Sequence, residues 1–134
     1  MIKTFVKNFI KEKYQDRILF ELTSNNPNKR EKAFTKLLDY SEYFKNNLRK
    51  EDLTHKTDEE ILNVVKSKFL TNECFSLKYE RTYELSKAIL NAINSYMIDI
   101  LIIDDKNIIY IGEVADHNDG GSASIKFIGN ILNI

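Results

Sequence analysis

The sequence contains few of the residues that cross-link a protein chain or mark the linkers between domains. It has one cysteine, one proline, four glycines and no tryptophan among its 134 residues. A single thiol, Cys74, cannot form an intramolecular disulfide, and a chain without a disulfide framework is typical of a reducing compartment. No stretch is rich in Pro, Gly or Ser, so no linker is predicted. We therefore expect one domain, residues 1–134, large enough to fold without a metal or disulfide.

Long hydrophobic runs are also absent. A membrane-spanning helix needs about 18 or more apolar residues in succession, and Asp99 and the pair Asp104 and Asp105 interrupt the most apolar part of the chain. Near the N-terminus, Lys7 and Lys11 interrupt the apolar segment that a targeting signal requires. We expect no membrane association and a cytoplasmic location.

Neither charge is in excess, because 20 Lys and Arg residues balance 20 Asp and Glu residues. The distribution is uneven, however: residues 1–50 contain 12 basic and 6 acidic residues, and residues 51–134 contain 8 and 14. A neutral chain is not typical of nucleic-acid-binding proteins, which carry a basic surface. The acidic C-terminal part is a candidate surface for a basic partner.

Helical periodicity dominates the first 70 residues. Apolar residues spaced at i, i+3, i+4 and i+7 predict a first helix. A second helix is predicted to begin at Pro27, with Asn26 as its N-cap, and to bury a stripe that ends at Leu48. A third begins after Thr57, which forms a capping-box pattern with Glu60. The buried stripe of the first helix comprises Ile2, Phe5, Val6, Phe9, Ile10, Tyr14 and Ile18.

From residue 74 onward the period changes to two. Phe75, Leu77 and Tyr79 alternate with polar residues, which predicts a strand with one buried face. A helix is predicted over residues 85–96 and is followed by another strand. This strand–helix–strand step is compatible with one parallel pair joined by a right-handed crossover.

The C-terminal third is rich in β-branched residues. Two such runs flank the sequence DDKN, residues 104–107, which is typical of a hairpin turn. A last strand is predicted over residues 124–129. The resulting order, αααβαβββ, predicts an α+β domain in which N-terminal helices pack on a mostly antiparallel sheet of about four strands.

The segment GEVADHNDGG, residues 112–121, resembles a metal-binding loop in composition but not in spacing. An EF-hand loop needs oxygen ligands at positions 1, 3 and 5, whereas position 5 counted from Asp116 is Gly120. A zinc site needs clustered Cys and His, and the two histidines and the cysteine of this chain lie far apart in the sequence. We expect no metal and no cofactor.

A magnesium-dependent nuclease of the PD-(D/E)xK type is one alternative. Such enzymes hold Mg²⁺ between carboxylates on neighbouring strands, with a lysine two residues after the second acid. Asp99 or Asp104 with Glu113 would supply the acids, but Ala115 occupies the lysine position and only Lys126 could replace it in space. We therefore do not expect an enzyme.

A small nucleic-acid-binding module is the other alternative. Lys29, Lys32 and Lys36 follow helical spacing with Arg30 adjacent, so one helix face would be basic and could contact phosphates. The run is short and the chain is neutral, so nucleic acid is not the expected partner.

A protein-binding surface is the preferred interpretation of the C-terminal acids. Acidic side chains steer and orient a basic partner, and tyrosine is enriched among the residues that dominate binding energy. The predicted partner-binding residues lie at the ends of the C-terminal hairpin: Asp104, Asp105, Tyr110, Glu113, Asp116, His117 and Asp119.

Four stretches carry a resemblance to a known group of proteins: NKREKAFTKLLDYSEYF, ECFSLKY, IIYIGE and IKFIG, within residues 25–129. In these stretches the chain resembles the small bacterial immunity proteins of polymorphic or contact-dependent growth-inhibition toxin systems. The resemblance implies a protein without catalysis that binds one cognate toxin domain, often a nuclease, and neutralises it stoichiometrically. Inhibitors of nucleases are commonly acidic overall, whereas here only the C-terminal part is acidic.

Overall fold

The computed structural model describes residues 1–95, 98–112, 114–116, 124–126 and 129–134, with the backbone alone for 114–116 and 124–126. Its helices are α1 (Ile2–Phe9), α2 (Glu12–Leu22), α3 (Pro27–Leu37), α4 (Tyr40–Tyr43), α5 (Asp58–Lys68) and α6 (Leu85–Ser95). Its strands are β1 (Arg49–Asp52), β2 (Glu73–Ser76), β3 (Arg81–Glu84), β4 (Asp99–Ile102), β5 (Asn107–Ile111), β6 (Val114–Asp116), β7 (Ser124–Lys126) and β8 (Asn130–Asn133).

Six strands form one sheet in the order β1-β8-β5-β4-β2-β3, and β6 and β7 form a separate two-stranded ribbon. The α+β class is confirmed, but the prediction of about four strands is wrong. Strand β1, for example, consists of four charged residues and carries no hydrophobic signal. Within the described strands every neighbouring pair is antiparallel, so the parallel pair with which the strand–helix–strand step is compatible does not form there. The reason is that α6 connects β4 to β3, which is separated from it by β2.

Both faces of the sheet are buried, which explains why its central strands are continuously apolar. Successive residues of a strand point to opposite faces: Ile100 and Ile102 pack in the cluster beneath α1–α4, and Leu101 packs in the cluster beneath α5 and α6. Burying each such side chain contributes roughly 1.5–3 kcal/mol. The sheet is therefore the middle layer between two layers of helices.

The N-terminal segment forms two helices, where the sequence predicted one. Ile10 is extended and pairs with Phe44 in an isolated antiparallel bridge. Two backbone hydrogen bonds flank it: Lys11 N–H donates to the Tyr43 carbonyl at 2.9 Å, and Lys45 N–H donates to the Phe9 carbonyl at 2.9 Å. These tertiary bonds end α1 although the apolar periodicity continues through residue 18.

The predicted helix starts at Pro27 and after Thr57 are confirmed. Asn26 accepts a hydrogen bond from the Asn28 N–H at 3.0 Å, directly before Pro27 at the first helical position. Thr57 Oγ1 accepts from Glu60 N–H at 3.2 Å, and Glu60 Oε1 accepts from Thr57 N–H at 3.3 Å. Both caps satisfy N–H groups that have no partner inside a helix.

The strand predicted across residues 75–79 is instead a tight hairpin. Strand β2 ends at Ser76, and Glu80 adopts a positive φ of 58° while its N–H donates to the Ser76 carbonyl at 2.8 Å. The chain then returns as β3, the outermost strand of the sheet. The alternating pattern was misleading because the turn buries Leu77, whereas Tyr79 is exposed at the tip. This hairpin forms one side of the candidate site.

Candidate functional site

A pocket of about 360 Å³ lies between α6 and strands β3, β4 and β5. We call it the Asp99 pocket, after the acidic residue in its lining. The side chains that α6 contributes are small or polar and follow helical spacing: Ala88, Asn91, Ala92 and Ser95. Among the described residues, α6 therefore presents no large side chain to this pocket.

Asp99 is a buried acid, with 6% of its surface exposed. Its Oδ2 accepts a hydrogen bond from Ser76 Oγ at 2.5 Å, and its Oδ1 accepts from the N–H groups of Lys78 at 3.0 Å and Ile100 at 2.7 Å. Burial raises the pKa of Asp99, although these hydrogen bonds and the charge of Lys78 act in the opposite direction. The ion pairs found among the described residues do not include Asp99.

Cys74 lies near this acid and is buried. Burial, with a further contribution from the negative charge of Asp99, raises the pKa of the Cys74 thiol to about 12. A thiol with such a pKa stays protonated at neutral pH and is a poor nucleophile. Cys74 is therefore a small core residue.

Tyr79, Arg81 and Tyr83 form the rim of the Asp99 pocket, and we call these three residues the rim. The two tyrosine rings are 6.0 Å apart in an edge-to-face arrangement. Arg81 Nε donates to the Tyr83 hydroxyl at 2.8 Å, and its guanidinium lies 5.0 Å from the centre of the Tyr83 ring. Tyr79 and Arg81 are exposed, so an aromatic side chain in the turn and a cationic side chain at the start of the outermost strand face solvent.

The sequence interpretation missed the rim, since it assigned the start of KYERTYE to a strand that ends near residue 80 and made no prediction for the residues before the helix at 85–96. The available signal was two tyrosines and an arginine at alternate positions 79, 81 and 83. That spacing predicts a shared face only where the backbone is extended. The hairpin turn before Arg81 could not be recognised, because it contains neither Gly nor Pro.

Two of the predicted partner-binding acids lie in the turn between β4 and β5. Asp104 Oδ1 accepts hydrogen bonds from Lys106 N–H at 2.8 Å and from Asn107 Nδ2 at 2.9 Å. The Asp105 carbonyl accepts from Asn8 Nδ2 at 2.6 Å. The hairpin prediction at DDKN is confirmed, and Asp104 orders that turn.

Tyr110 packs inside the molecule more than on its surface. Its hydroxyl donates to the Leu38 carbonyl at 2.8 Å, and its ring lies 5.6 Å from those of Tyr40 and Phe44. Burial, together with the nearby Asp39 charge, raises the pKa of Tyr110 to about 12. These contacts tie β5 to the region of α4.

The other predicted residues belong to or flank the β6–β7 ribbon. Asp116 pairs with Ser124 in that ribbon, whereas Glu113, His117 and Asp119 lie outside the described residues. Along the chain, the turn with Asp104 comes before the start of β5, and the ribbon comes after the end of β5. A five-residue strand is about 13 Å long, so Asp104 and Asp116 lie toward opposite ends of β5.

The alternative sites have the following geometry. Asp99 and Asp104 lie at opposite ends of β4, and within the described residues no group of three or more His, Cys, Asp or Glu side chains could hold a metal ion. On the predicted basic face, Arg30 pairs with Glu80 at 2.6 Å and Lys36 pairs with Glu21 at 2.6 Å. Two of the four cations of the predicted basic face, which comprises Lys29, Arg30, Lys32 and Lys36, are therefore engaged in ion pairs.

A scan against protein-family models found no match for the chain, and searches among curated proteins and solved structures found none either. The family resemblance therefore stays a prediction from the sequence. Among the helices of the described residues, none has both the length and the apolar character needed to cross a membrane.

Proposed function

We propose that the chain is an immunity protein: a cytoplasmic, non-enzymatic inhibitor that binds a toxin domain stoichiometrically through the rim and so neutralises it. In the systems that the sequence resembles, the toxin domain is often a nuclease. The observation that carries the protein-binding part is the rim itself, a Tyr-Arg-Tyr cluster beside a pocket. Tyr79 in the turn and Arg81 on the outermost strand β3 are exposed, and Tyr83 is half-buried. Tyrosine and arginine are among the residues that most often dominate the energy of protein interfaces. The sequence resemblance supports a toxin as the partner.

The rim is held in place before any partner binds. Asp99 and Ser76 accept hydrogen bonds from the backbone N–H groups of Lys78 and Tyr79, which fixes the turn that leads into β3. At the same turn, Glu80 forms an ion pair with Arg30 at 2.6 Å. A surface that is already ordered loses less conformational entropy on binding, and this favours tight inhibition.

The contact residues predicted from the sequence complement the rim in this proposal. Glu113, Asp116, His117 and Asp119 remain predicted contact residues, with Asp104 and Asp105 at the other end of β5. Acids at the edge of an interface mainly accelerate the encounter with a basic partner. A nuclease domain binds an anionic substrate and therefore presents a basic surface. Such a surface is complementary to these acids.

The test is to co-express the chain with the toxin domain encoded next to its gene. We expect growth to be restored and a stable one-to-one complex to be isolated. Arg81→Ala should weaken that complex at least 10-fold, mainly through faster dissociation. Arg49→Ala is the matched control, because Arg49 also begins a four-residue outermost strand at the opposite edge of the sheet.

Two results would count against the proposal. If the chain neither restores growth nor binds the toxin domain, it is not the immunity protein of that toxin. If Arg81→Ala and Arg49→Ala weaken the complex equally, the rim is not the binding surface.

A further inference from the structure

We propose that the Asp99 pocket receives a lysine or arginine side chain of the protein partner. This inference rests on the proposed function for the existence of that partner, and it adds the chemistry that the pocket recognises. The rim would hold the surrounding surface of the partner, while one cationic side chain enters between α6 and the sheet.

The charge of the pocket carries the argument. Asp99 is 6% exposed and has no ion pair among the described residues. The charge of Lys78 acts on Asp99 from a distance, but no cation makes a direct ion pair with it among the described residues. A cation that binds directly beside a buried carboxylate gains a strong interaction in a medium of low polarity. An anionic ligand would instead be repelled by the same carboxylate.

Asp99 also retains capacity to accept another hydrogen bond. A carboxylate can accept about four hydrogen bonds, and the described residues supply three, of which only one reaches Oδ2. An ammonium or guanidinium group would supply the fourth donor. Exposed Asn91 and Ser95 on α6 offer further oxygen acceptors around the same space.

The rest of the lining suits the body of a long basic side chain. Ala88, Ala92, Leu101 and Ile111 are apolar and can contact a methylene chain. The tyrosine rings of the rim already attract cations of this chain, since Lys78 Nζ lies 5.6 Å from the centre of the Tyr79 ring and Arg81 lies 5.0 Å from that of Tyr83. Arg81 is held against Tyr83 by its hydrogen bond and ring contact, so in this structure it lies at the mouth of the pocket.

The inference can be tested with a small probe by amide NMR. The probe is the peptide acetyl-Gly-Arg-Gly-amide, compared with the same peptide carrying citrulline, which has nearly the same shape but no charge. We expect the arginine peptide to cause saturable shifts at Lys78, Asn91, Ser95 and Ile100 and to bind at least 10-fold more tightly than the citrulline peptide.

Two variants locate the effect. Asp99→Asn should abolish the preference for the charged peptide, whereas Asp52→Asn should preserve it. Asp52 is the matched control because its Oδ1 also accepts a backbone hydrogen bond, from Thr54 N–H at 2.8 Å, but on strand β1. Ala88→Met should lower the affinity for the arginine peptide at least 10-fold, because the larger side chain fills the pocket. If Asp99→Asn fails to fold, Ala88→Met decides whether the peptide binds in the pocket.

Three outcomes would overturn the inference. They are equal affinity for the two peptides, a charge preference that survives both pocket variants, and binding that appears only in Arg81→Ala, which would make Arg81 the natural occupant. The toxin complex separates this inference from the proposed function. A complex weakened by Arg81→Ala but unchanged by Asp99→Asn and Ala88→Met would support the rim and refute the pocket.

Discussion

The side chains of Ser76 and Asp99 form a buried hydrogen bond of 2.5 Å that joins strand β2 to strand β4. The same serine oxygen accepts from the N–H of Tyr79 at 3.0 Å. One pair of polar residues thus supports both the centre of the sheet and the turn that presents the rim. The stability of the fold and the order of the candidate site are coupled through this pair.

Replacing Ser76 should therefore destabilise the protein. Ser76→Ala removes the donor to Asp99 and the acceptor for Tyr79 N–H, and leaving buried groups unsatisfied costs about 1–3 kcal/mol. Urea denaturation should show a lower midpoint with an unchanged slope. The control is Ser67→Ala, an exposed position on α5, expected within about 0.5 kcal/mol of wild type. Equal behaviour of the two variants would show that the Ser76 hydrogen bonds contribute little.

Asp99 should give the protein a characteristic pH dependence. Burial raises its pKa above the ordinary value of 3.8, so the folded state binds this proton more tightly than the unfolded chain. The stability contributed by this group is full below about pH 3.8 and is lost as pH rises through the raised pKa. Asn does not titrate, so Asp99→Asn does not lose stability in this way. The unfolding free energy of Asp99→Asn minus that of wild type should therefore increase as pH rises from about 3.8 through the raised pKa.

The measurement is urea denaturation of both proteins at several pH values between about 3 and 7. Other acids titrate equally in both proteins, so the difference isolates Asp99. A difference that stays constant or decreases with pH would contradict the raised pKa.

Lys36 should stabilise the fold through Glu21. Glu21 is buried, which by itself raises its pKa, but hydrogen bonds from Lys36 and Arg17 hold the pKa of Glu21 below 4.5. Lys36→Met should cost about 1–3 kcal/mol, less than the loss of a fully buried pair because the Lys36 side chain is partly exposed. Lys32→Met, an exposed position on the same helix, is the control for thermal or urea denaturation.

A double variant tests the same ion pair more directly. Glu21→Gln combined with Lys36→Met should recover part of the stability lost in Lys36→Met, because no unpaired buried charge then remains. If the two substitutions are simply additive, Lys36 and Glu21 are not coupled.

Tyr110 and Tyr40 should respond differently to loss of their hydroxyl groups. Tyr110→Phe removes the hydrogen bond to Leu38 and should cost about 0.5–1.5 kcal/mol. The Tyr40 hydroxyl is buried without a hydrogen-bond partner among the described residues, so Tyr40→Phe should be neutral or stabilising. Urea denaturation measures both. A larger loss for Tyr40→Phe would reverse this assignment.

The acidic ribbon should influence the rate of association with the toxin domain. Asp116→Asn is expected to slow association several-fold at low salt and to have less effect at high salt, because steering by charge is screened. Asp104→Asn is the comparison variant. It also removes one negative charge, but at the other end of β5, so it shows whether the position of the charge matters. Stopped-flow measurements in which both variants associate at the wild-type rate would exclude a steering role for these acids.

Much of the local structure could be predicted because its signals are local. The Thr57 capping box, the start of α3 at Pro27 and the DDKN turn each depend on contacts within a few residues. The break at Ile10 and the Tyr110 hydroxyl bond could not be predicted, since their partners Phe44 and Leu38 lie 34 and 72 residues away along the chain.

The sequence alone determined the α+β class, the starts of α3 and α5, and the C-terminal hairpin, because periodicity and capping are encoded by neighbouring residues. The tertiary structure decided that the sheet is covered on both faces, that polar β1 joins it, and that Asp99 lies in a pocket beside the Tyr-Arg-Tyr rim. Each of these depends on which distant segments pack together. Burial and strand pairing are set by that packing. The same packing brings Asp99 on β4 together with Tyr79, Arg81 and Tyr83 in one site.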